Sequence, residues 1–172
     1  MHETADDLDQ LQALLDRSHE RASPHLARII TAERRVNAEQ LAERLTGMCL
    51  LVLATVTADG RPINGPVDGV FYRGAFHFGT APDAVRWRHI QARPQVSATH
   101  LPEESFAVTV HGHAVAVDLK QNRGFRETLL EIYVPRYGPE WETDFLDAQD
   151  GPVYARIDAD RMFTFSMPPD TG

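Results

Sequence analysis

Residues 49–72 read CLLVLATVTADGRPINGPVDGVFY, and this stretch decides the fold. Two runs rich in Leu, Val, Thr and Ile flank the pair Asp59-Gly60, which is the strongest short signal for a β-hairpin. Arg73-Gly74 predicts a second tight turn. In the following residues 75–80, apolar and polar side chains alternate at Phe76, His77 and Phe78. Alternation with a period of two is typical of strands. The stretch therefore predicts three consecutive antiparallel strands.

Two details of this stretch predict the surroundings of its strands. The first strand is apolar on both faces, so we expect it to be central and covered rather than at an edge. Pro66 has no backbone N–H to donate to a ladder, so we expect the second strand to bulge there or to lie partly at an edge.

The rest of the chain adds further strands and two helices. Pro82-Asp83 starts a predicted helix that Pro94 ends. Strands are predicted at residues 95–100, 105–118, 153–157 and 162–167, a helix at 122–133, and an acidic, irregular or helical connection at 137–150. Six to seven strands with close turns and one inserted helix predict a mainly β fold with helices, of the α+β class, built on a small β-barrel.

The segment before the first strand reads as helical. Its leucines recur at helical spacing: Leu8, Leu11, Leu14 and Leu15. Asn37 is a predicted N-cap, with Gln40 three residues later as in a capping box. We therefore divide the chain into an N-terminal helical arm, a barrel domain and a short tail, at residues 1–46, 47–167 and 168–172.

Composition excludes several functional classes. The chain has 172 residues and a formal net charge of −8, so nucleic-acid binding by charge alone is not expected. It has no apolar run near the roughly 20 residues that a membrane helix needs. Its acidic start lacks the basic and apolar regions of a signal peptide. A single cysteine, Cys49, rules out a disulfide scaffold, so a cytoplasmic setting is expected.

The charge is unevenly distributed along the chain. Residues 61–93 contain five arginines and two aspartates, a local balance of +3 within an acidic protein. Arg86, His89 and Arg93 are spaced to share one face of the predicted helix, while Trp87 and Ile90 share its packing face. Since a helix N-terminus and a guanidinium both attract anions, we expect a small-anion site beside this helix.

Several short motifs together resemble the pyridoxamine 5′-phosphate oxidase-like split-barrel superfamily of flavin and deazaflavin binders. They occur in this order: the Asp59-Gly60 turn followed by Arg61-Pro62, the Pro66-Val67 strand, the run from Phe76 to Thr80, the basic helix, and Arg93-Pro94-Gln95-Val96-Ser97. The resemblance covers roughly residues 45–166, and its order is more specific than any one motif. It implies a split β-barrel.

The resemblance also implies a cofactor site. The tricyclic ring is expected against the second strand, and the phosphate beside the end of the third strand and the helix start. The implied cofactor-binding residues are Pro66, Val67, Asp68, Gly79, Thr80, Ala84, Val85 and Arg86. Arg86 keeps the basic role of the family's helix-start motif, whereas Ala84 and Val85 lack the hydroxyl and the charge that relatives have there. No metal ligands and no catalytic residue are assigned, and the candidates for a proton donor are Asp68, Tyr72 and His77.

The implied function is hydride transfer between bound FMN or the deazaflavin coenzyme F-420 and a small conjugated substrate, in a homodimer. The apolar residues 161–169 lack the Arg- and His-bearing signature of the vitamin B6 phosphate oxidases themselves. An alternative remains open, a non-catalytic flavin or haem binding or sequestering protein. It rests on five histidines in a short span, His77, His89, His100, His111 and His113, and on haem-binding relatives of the same fold.

Overall fold

The computed structural model describes residues 2–167, and the predicted tail, residues 168–172, lies outside the described residues. The helices are α1 (Ala5–Glu20), α2 (Pro24–Ile29), α3 (Ala38–Arg44), α4 (Val85–Ala92) and α5 (Arg123–Tyr137). The strands are β1 (Met48–Val56), β2 (Pro62–Tyr72), β3 (Ala75–Thr80), β4 (Gln95–Glu103), β5 (Phe106–Val117) and β6 (Val153–Ser166). A 3₁₀ turn at Ala32–Arg34 and a π-helical turn at Glu142–Leu146 complete the order.

The six strands form a closed antiparallel barrel in the order β1-β2-β3-β6-β5-β4. Pairing of β1 with β4 closes it, at Leu51–Ala54 against Ser97–His100. The predicted α+β class, the β-barrel and the N-terminal helices are therefore confirmed.

Both predicted turns are present, and their glycines adopt positive φ values. Thr57 N–H donates to the Arg61 carbonyl over 3.0 Å, and Gly60 takes a φ of +84°. In the second turn both Arg73 and Gly74 have positive φ, at 51° and 76°. Two consecutive positive φ values are the signature of the two-residue turn whose twist matches that of antiparallel strands.

Pro66 lies where β2 has a partner on one side. β2 pairs with β1 from Pro62 to Val70 without a bulge, and Val52 lies opposite Pro66. Its pairing with β3 begins only at Gly69. The expected edge position is confirmed, because the missing N–H of Pro66 lies in the part of β2 that β3 does not reach.

Three expectations are wrong: the residue at which α4 starts, the residue at which α5 ends, and the burial of both faces of β1. α4 starts at Val85, because residues 81–84 form a turn in which Ala84 N–H donates to the Ala81 carbonyl over 3.1 Å. α5 continues past residue 133 to Tyr137 despite an internal proline. β1 is central but only partly covered, since Leu50 and Val52 on its outer face are 55% and 48% exposed.

The two predicted C-terminal strands are one strand. β6 pairs with β5 throughout, with one irregularity between the pairs Arg161–His111 and Ala159–Gly112. Asp160 is the extra residue of this bulge, so a bend replaces the predicted break. A Cβ on Gly112 would lie 2.1 Å from the Asp158 carbonyl oxygen, which explains the glycine opposite the bulge.

The N-terminal helices pack on β6. Leu11, Leu15 and Leu41 are buried in the same core as the barrel interior. Met162 N–H donates to the Ser18 hydroxyl over 2.9 Å, and Val36 N–H donates to the Thr164 hydroxyl over 3.0 Å. The capping box of Asn37 and Gln40 is present as predicted. No helix within residues 2–167 is long and apolar enough to cross a membrane.

A second core lies outside the barrel, between α5 and the outer faces of β2, β3 and β6. Phe125, Leu129 and Tyr133 of α5 pack there against Val70 and Tyr154. His77 of β3 joins this core, with its ring 4.3 Å from that of Phe125. Because the Ala75 carbonyl 3.1 Å away can only accept, the Nδ1 atom of His77 carries the proton.

Burial lowers the pKa of His77 to about 4, and this predicts a pH dependence of folding. Below pH 6.5 the imidazole of His77 binds a proton in the unfolded chain, whereas in the folded protein it binds one only near pH 4. The free energy of unfolding should therefore fall by about 3 kcal/mol between these values from this residue alone. Urea titrations of the native protein and of His77→Phe should show that the variant loses this part of the slope.

The exposed His25 provides the matched control, because His25→Gln should retain the native pH dependence. Parallel slopes for the native protein and His77→Phe would contradict a neutral, buried imidazole.

Candidate functional site

A cleft of about 720 Å³ lies on the outer face of the barrel. One wall is formed by β2 and β3, and the facing wall by α5 and the segment that follows it. Most of its lining is apolar or aromatic, with few polar groups, which is the usual character of small-molecule sites. The second core forms its floor through Val70, Phe125, Leu129, Tyr133 and Tyr154.

The strand wall follows from the period of two along β2. Pro66, Asp68 and Val70 alternate onto the outer face, whereas the intervening Val67 is buried in the barrel core. On β3, Gly79 lies against Tyr154, since a Cβ on it would be 3.0 Å from the tyrosine ring. A side chain at this position would displace the ring that closes the floor.

Six of the eight predicted site residues line this cleft together: Pro66, Val67, Asp68, Gly79, Thr80 and Arg86. The other two, Ala84 and Val85, line a separate cavity of about 260 Å³ beside Gly65 and His89. Arg86 borders both cavities.

Arg86 is positioned by backbone contacts. Its Nη2 donates to the Pro66 carbonyl over 3.2 Å, and Gly65 leaves room for it, since a Cβ there would lie 3.0 Å from the same nitrogen. Burial lowers the pKa of Arg86 below its ordinary value, but an arginine remains a cation at neutral pH. Among the described residues it has no carboxylate partner within 4.0 Å, so its charge is available to an anion.

The predicted polar face of α4 is confirmed, but only one of its members reaches the cleft. His89 Nδ1 lies 3.0 Å from the Thr55 hydroxyl, and Arg93 Nε donates to the Val56 carbonyl over 3.1 Å. These two contacts attach α4 to β1. Trp87 and Ile90 are buried on the other face, as predicted.

Sequence reasoning missed the aromatic wall opposite the strands. Tyr133, Tyr137, Trp141 and Phe145 all line the cleft. The ring centroids of Tyr133 and Trp141 are 4.8 Å apart and nearly parallel, and those of Trp141 and Phe145 are 5.5 Å apart. Their spacing of four residues is a helical signal that the acidic composition of residues 137–150 concealed.

A salt-bridge network holds this wall to α5. The guanidinium of Arg126 donates to both carboxylate oxygens of Asp147, over 2.9 and 2.7 Å, and to Glu142 over 2.7 Å. Glu142 and Asp147 stand at either end of the π-helical turn that carries Phe145. Hydrogen bonds from Arg126 hold the pKa of Asp147 below its ordinary value.

The three candidates for a proton donor do not all lie in the cleft. Asp68 and His77 line the cleft, whereas Tyr72 does not and packs instead against Phe125 and the backbone at Gly124. Burial, and then the charge of Asp68, raise the pKa of both Tyr133 and Tyr154, so both phenols keep their protons.

The remaining histidines do not converge. His100 Nδ1 lies 3.0 Å from the Leu50 carbonyl, His111 Nδ1 lies 2.8 Å from the Ser97 hydroxyl, and His113 lies 4.0 Å from Asp158. Within residues 2–167 no three His, Cys, Asp or Glu side chains form a group that could hold a metal ion.

Removing the Arg126 network should loosen the aromatic wall. In Arg126→Gln we expect amide hydrogen exchange in residues 138–150 to accelerate about fivefold, since a partly exposed network of this kind contributes about 1 kcal/mol. The contribution is present above the ordinary pKa of Asp147, 3.8, and disappears as the pH falls through its lower folded value.

Arg123 gives the matched control for this variant, because it lies on the same helix and forms no salt bridge within the described residues. Arg123→Gln should leave the exchange unchanged. Equal exchange in all three proteins would show that the network does not hold the segment.

Comparisons with known proteins identify the fold. No family model and no curated protein matches the chain. A conserved hypothetical protein from Mycobacterium tuberculosis superposes with a TM-score of 0.66 at 19% identity, over 79% of this chain and 88% of that one. The heme storage protein HutZ from Vibrio cholerae gives 0.56 at 20% identity, over 74% and 91%. An F-420 reductase gives 0.52 at 19% identity, over 69% and 91%.

Identities of this size carry information about architecture alone. The matched structures superpose on 69–79% of this chain. The chain therefore has the split-barrel fold that its sequence motifs predicted.

Proposed function

We propose that the cleft binds FMN or the deazaflavin coenzyme F-420 and that the protein is an oxidoreductase acting on a small conjugated substrate. The observation that carries the proposal is the combination of Arg86, a guanidinium without a carboxylate partner, with a largely apolar cleft of about 720 Å³. The cofactor would supply the hydride chemistry, and the protein would supply binding, orientation and exclusion of water.

The residues present fit a phosphorylated ring compound. Arg86 and Thr80 both border the cleft, and their guanidinium and hydroxyl groups would hold the phosphate. A guanidinium is suited to phosphate because its donors match two phosphate oxygens at once.

The strand wall fits the ring itself. Residues 62–68 of β2 pair only with β1, so the other edge of this stretch has backbone groups free to bond a ligand. Pro66, Asp68 and the backbone of Val67 would lie along the ring, and Gly79 would border it where Tyr154 closes the floor. His77 and Asp68 are the side chains of this wall that could exchange a proton with a substrate.

A non-catalytic flavin or haem binder is the second candidate. His77 supports it, because its neutral ring has its proton on Nδ1 and therefore a lone pair on Nε2, the form that ligates haem iron. Burial of His77, which is 2% exposed and packs against Phe125, leaves little room for iron at its ring and disfavours haem. An absorption spectrum distinguishes them, since haem gives an intense band that flavins and deazaflavins lack.

A second copy of the chain would complete the cleft. Leu50 lines the cleft and, with Val52, forms an exposed apolar strip on the outer face of β1. Burying this strip against its symmetry mate would cover apolar surface and close the open side of the cleft. We therefore include a homodimer in the proposal, together with the cytoplasmic setting and the division at residue 47 that the sequence predicts.

Cofactor titrations of the native protein and Arg86→Gln test the proposal. Loss of a charge-assisted hydrogen bond should weaken FMN or F-420 binding about 10- to 100-fold. Fluorescence titration with each cofactor also shows which of the two the cleft prefers.

Arg88→Gln is the matched control, because Arg88 lies on the same helix, is exposed and does not line the cleft. A change of less than threefold in Arg86→Gln, or an equal loss in Arg88→Gln, would remove Arg86 from the phosphate site.

Sedimentation equilibrium tests the dimer. The native chain should sediment as a dimer and Val52→Asp as a monomer, because a carboxylate in the strip would be buried without a partner. Ile29→Asp, at an exposed apolar position on α2, should remain dimeric. A monomeric native protein, or a dimeric Val52→Asp, would contradict this interface.

A further inference from the structure

We infer that the substrate bound between the strand wall and the aromatic wall is a planar organic cation, a conjugated ring with a positive charge. The inference deepens the proposed function, on which it rests for the identity of the reductant. It is carried by the placement of Asp68 among aromatic faces in the cleft.

Two opposite charges divide the cleft. Among the described lining residues, Asp68 and Arg86 are the ones with a formal charge at neutral pH. Arg86 donates to the carbonyl of Pro66, two residues before Asp68 on the same strand face. Because β2 rises about 3.3 Å per residue, these two strand positions are separated by roughly 7 Å. One end of the cleft thus suits an anion and the adjacent part suits a cation.

Asp68 is available to a ligand. It is exposed, and within residues 2–167 it accepts no side-chain hydrogen bond and has no cationic partner within 4.0 Å. Its charge nevertheless reaches the cleft floor, since it contributes, after burial, to the raised pKa of the Tyr133 and Tyr154 phenols. A carboxylate that faces a cleft and forms no salt bridge favours a positively charged occupant beside it.

The facing aromatic wall supplies the second attraction. Tyr133 and Trp141 stack nearly parallel, and Tyr137 and Phe145 continue the wall with side chains that are 55% and 50% exposed. Ring faces carry negative quadrupole potential, so they bind organic cations more strongly than neutral molecules of the same shape. The net charge of −8 also raises the local concentration of cations around the whole molecule.

A cationic substrate agrees with the small number of acid–base groups that line the cleft. A cationic ring that accepts a hydride, with its electron pair, forms one C–H bond and becomes a neutral dihydro compound. The reduced cofactor of the proposed function would donate that hydride from its anionic form and become the neutral oxidised form, so that charges and electrons balance. The cation takes up no proton in this step, so no positioned proton donor is needed.

Calorimetric titration of the full chain with three bicyclic probes tests the inference: N-methylquinolinium as the cation, 1-methylnaphthalene as its neutral analogue and 2-naphthoate as the anion. The cation should bind about tenfold more tightly than the neutral probe, as expected for one partly exposed charge plus cation–π contacts, and the anion most weakly. Equal affinities for the cation and the neutral probe would overturn the inference.

Variants assign the preference to its source. In Asp68→Asn the ratio of cation to neutral affinity should fall to within about threefold of unity, and a ratio measured within one variant is insensitive to partial unfolding. Asp150→Asn, at an exposed aspartate outside the cleft, should keep the native ratio. Trp141→Leu should weaken both probes. An unchanged ratio in Asp68→Asn would also overturn the inference.

A parallel FMN and F-420 titration separates the two claims. If neither cofactor binds but the native protein prefers the cation and Asp68→Asn does not, the proposed function fails and the cation site stands. If a cofactor binds through Arg86 while the probes bind equally, the substrate inference fails and the proposed function stands.

Discussion

The incomplete pairing of β2 is the constraint on which the rest of the site depends. β2 pairs with both β1 and β3 at Gly69 and Val70, but only with β1 before Gly69. Pro66, which has no N–H to donate, lies in the singly paired part. β3 instead continues along β6, and the gap between them is where Arg86 reaches the β2 backbone and where the cleft lies. A barrel with complete ladders would leave no such gap.

The two cores have different tasks. The interior of the barrel, with the N-terminal helices packed against it, provides most of the buried apolar surface. The smaller outer core fixes α5 against β2, β3 and β6 and forms the floor of the cleft. No described residue of the N-terminal arm lines this cleft. The wall segment after α5 is held in two ways: Leu146 and Trp141 pack in the smaller core, and Arg126 bonds Glu142 and Asp147.

Local chemistry made much of the fold predictable. The turns at Asp59-Gly60 and Arg73-Gly74, the cap at Asn37 and the packing face of α4 each depend on residues a few positions apart, and each is confirmed. The errors arose where a distant partner decides the outcome. β6 reads as two strands because its bulge at Asp160 is bridged by pairing with β5, which has no local signature. The prediction that β1 is covered on both faces is wrong, because an apolar pattern does not show which face a single chain buries.

By itself the sequence determined the strand-rich class and the order of the first three strands, because short turns force these segments together. The grouping of residues 66–68 with 79–80 and Arg86 was implied only by the resemblance of the motifs to a known superfamily. Only the tertiary structure decided that the aromatic residues 133–145 face this group, that Ala84 and Val85 lie outside the cleft, and that Asp68 has no partner there. These facts depend on closure of the barrel and on docking of α5, which bring together residues more than 40 positions apart. Hydrogen-bonding and turn preferences act over a few residues, whereas packing between distant segments is a property of the whole chain.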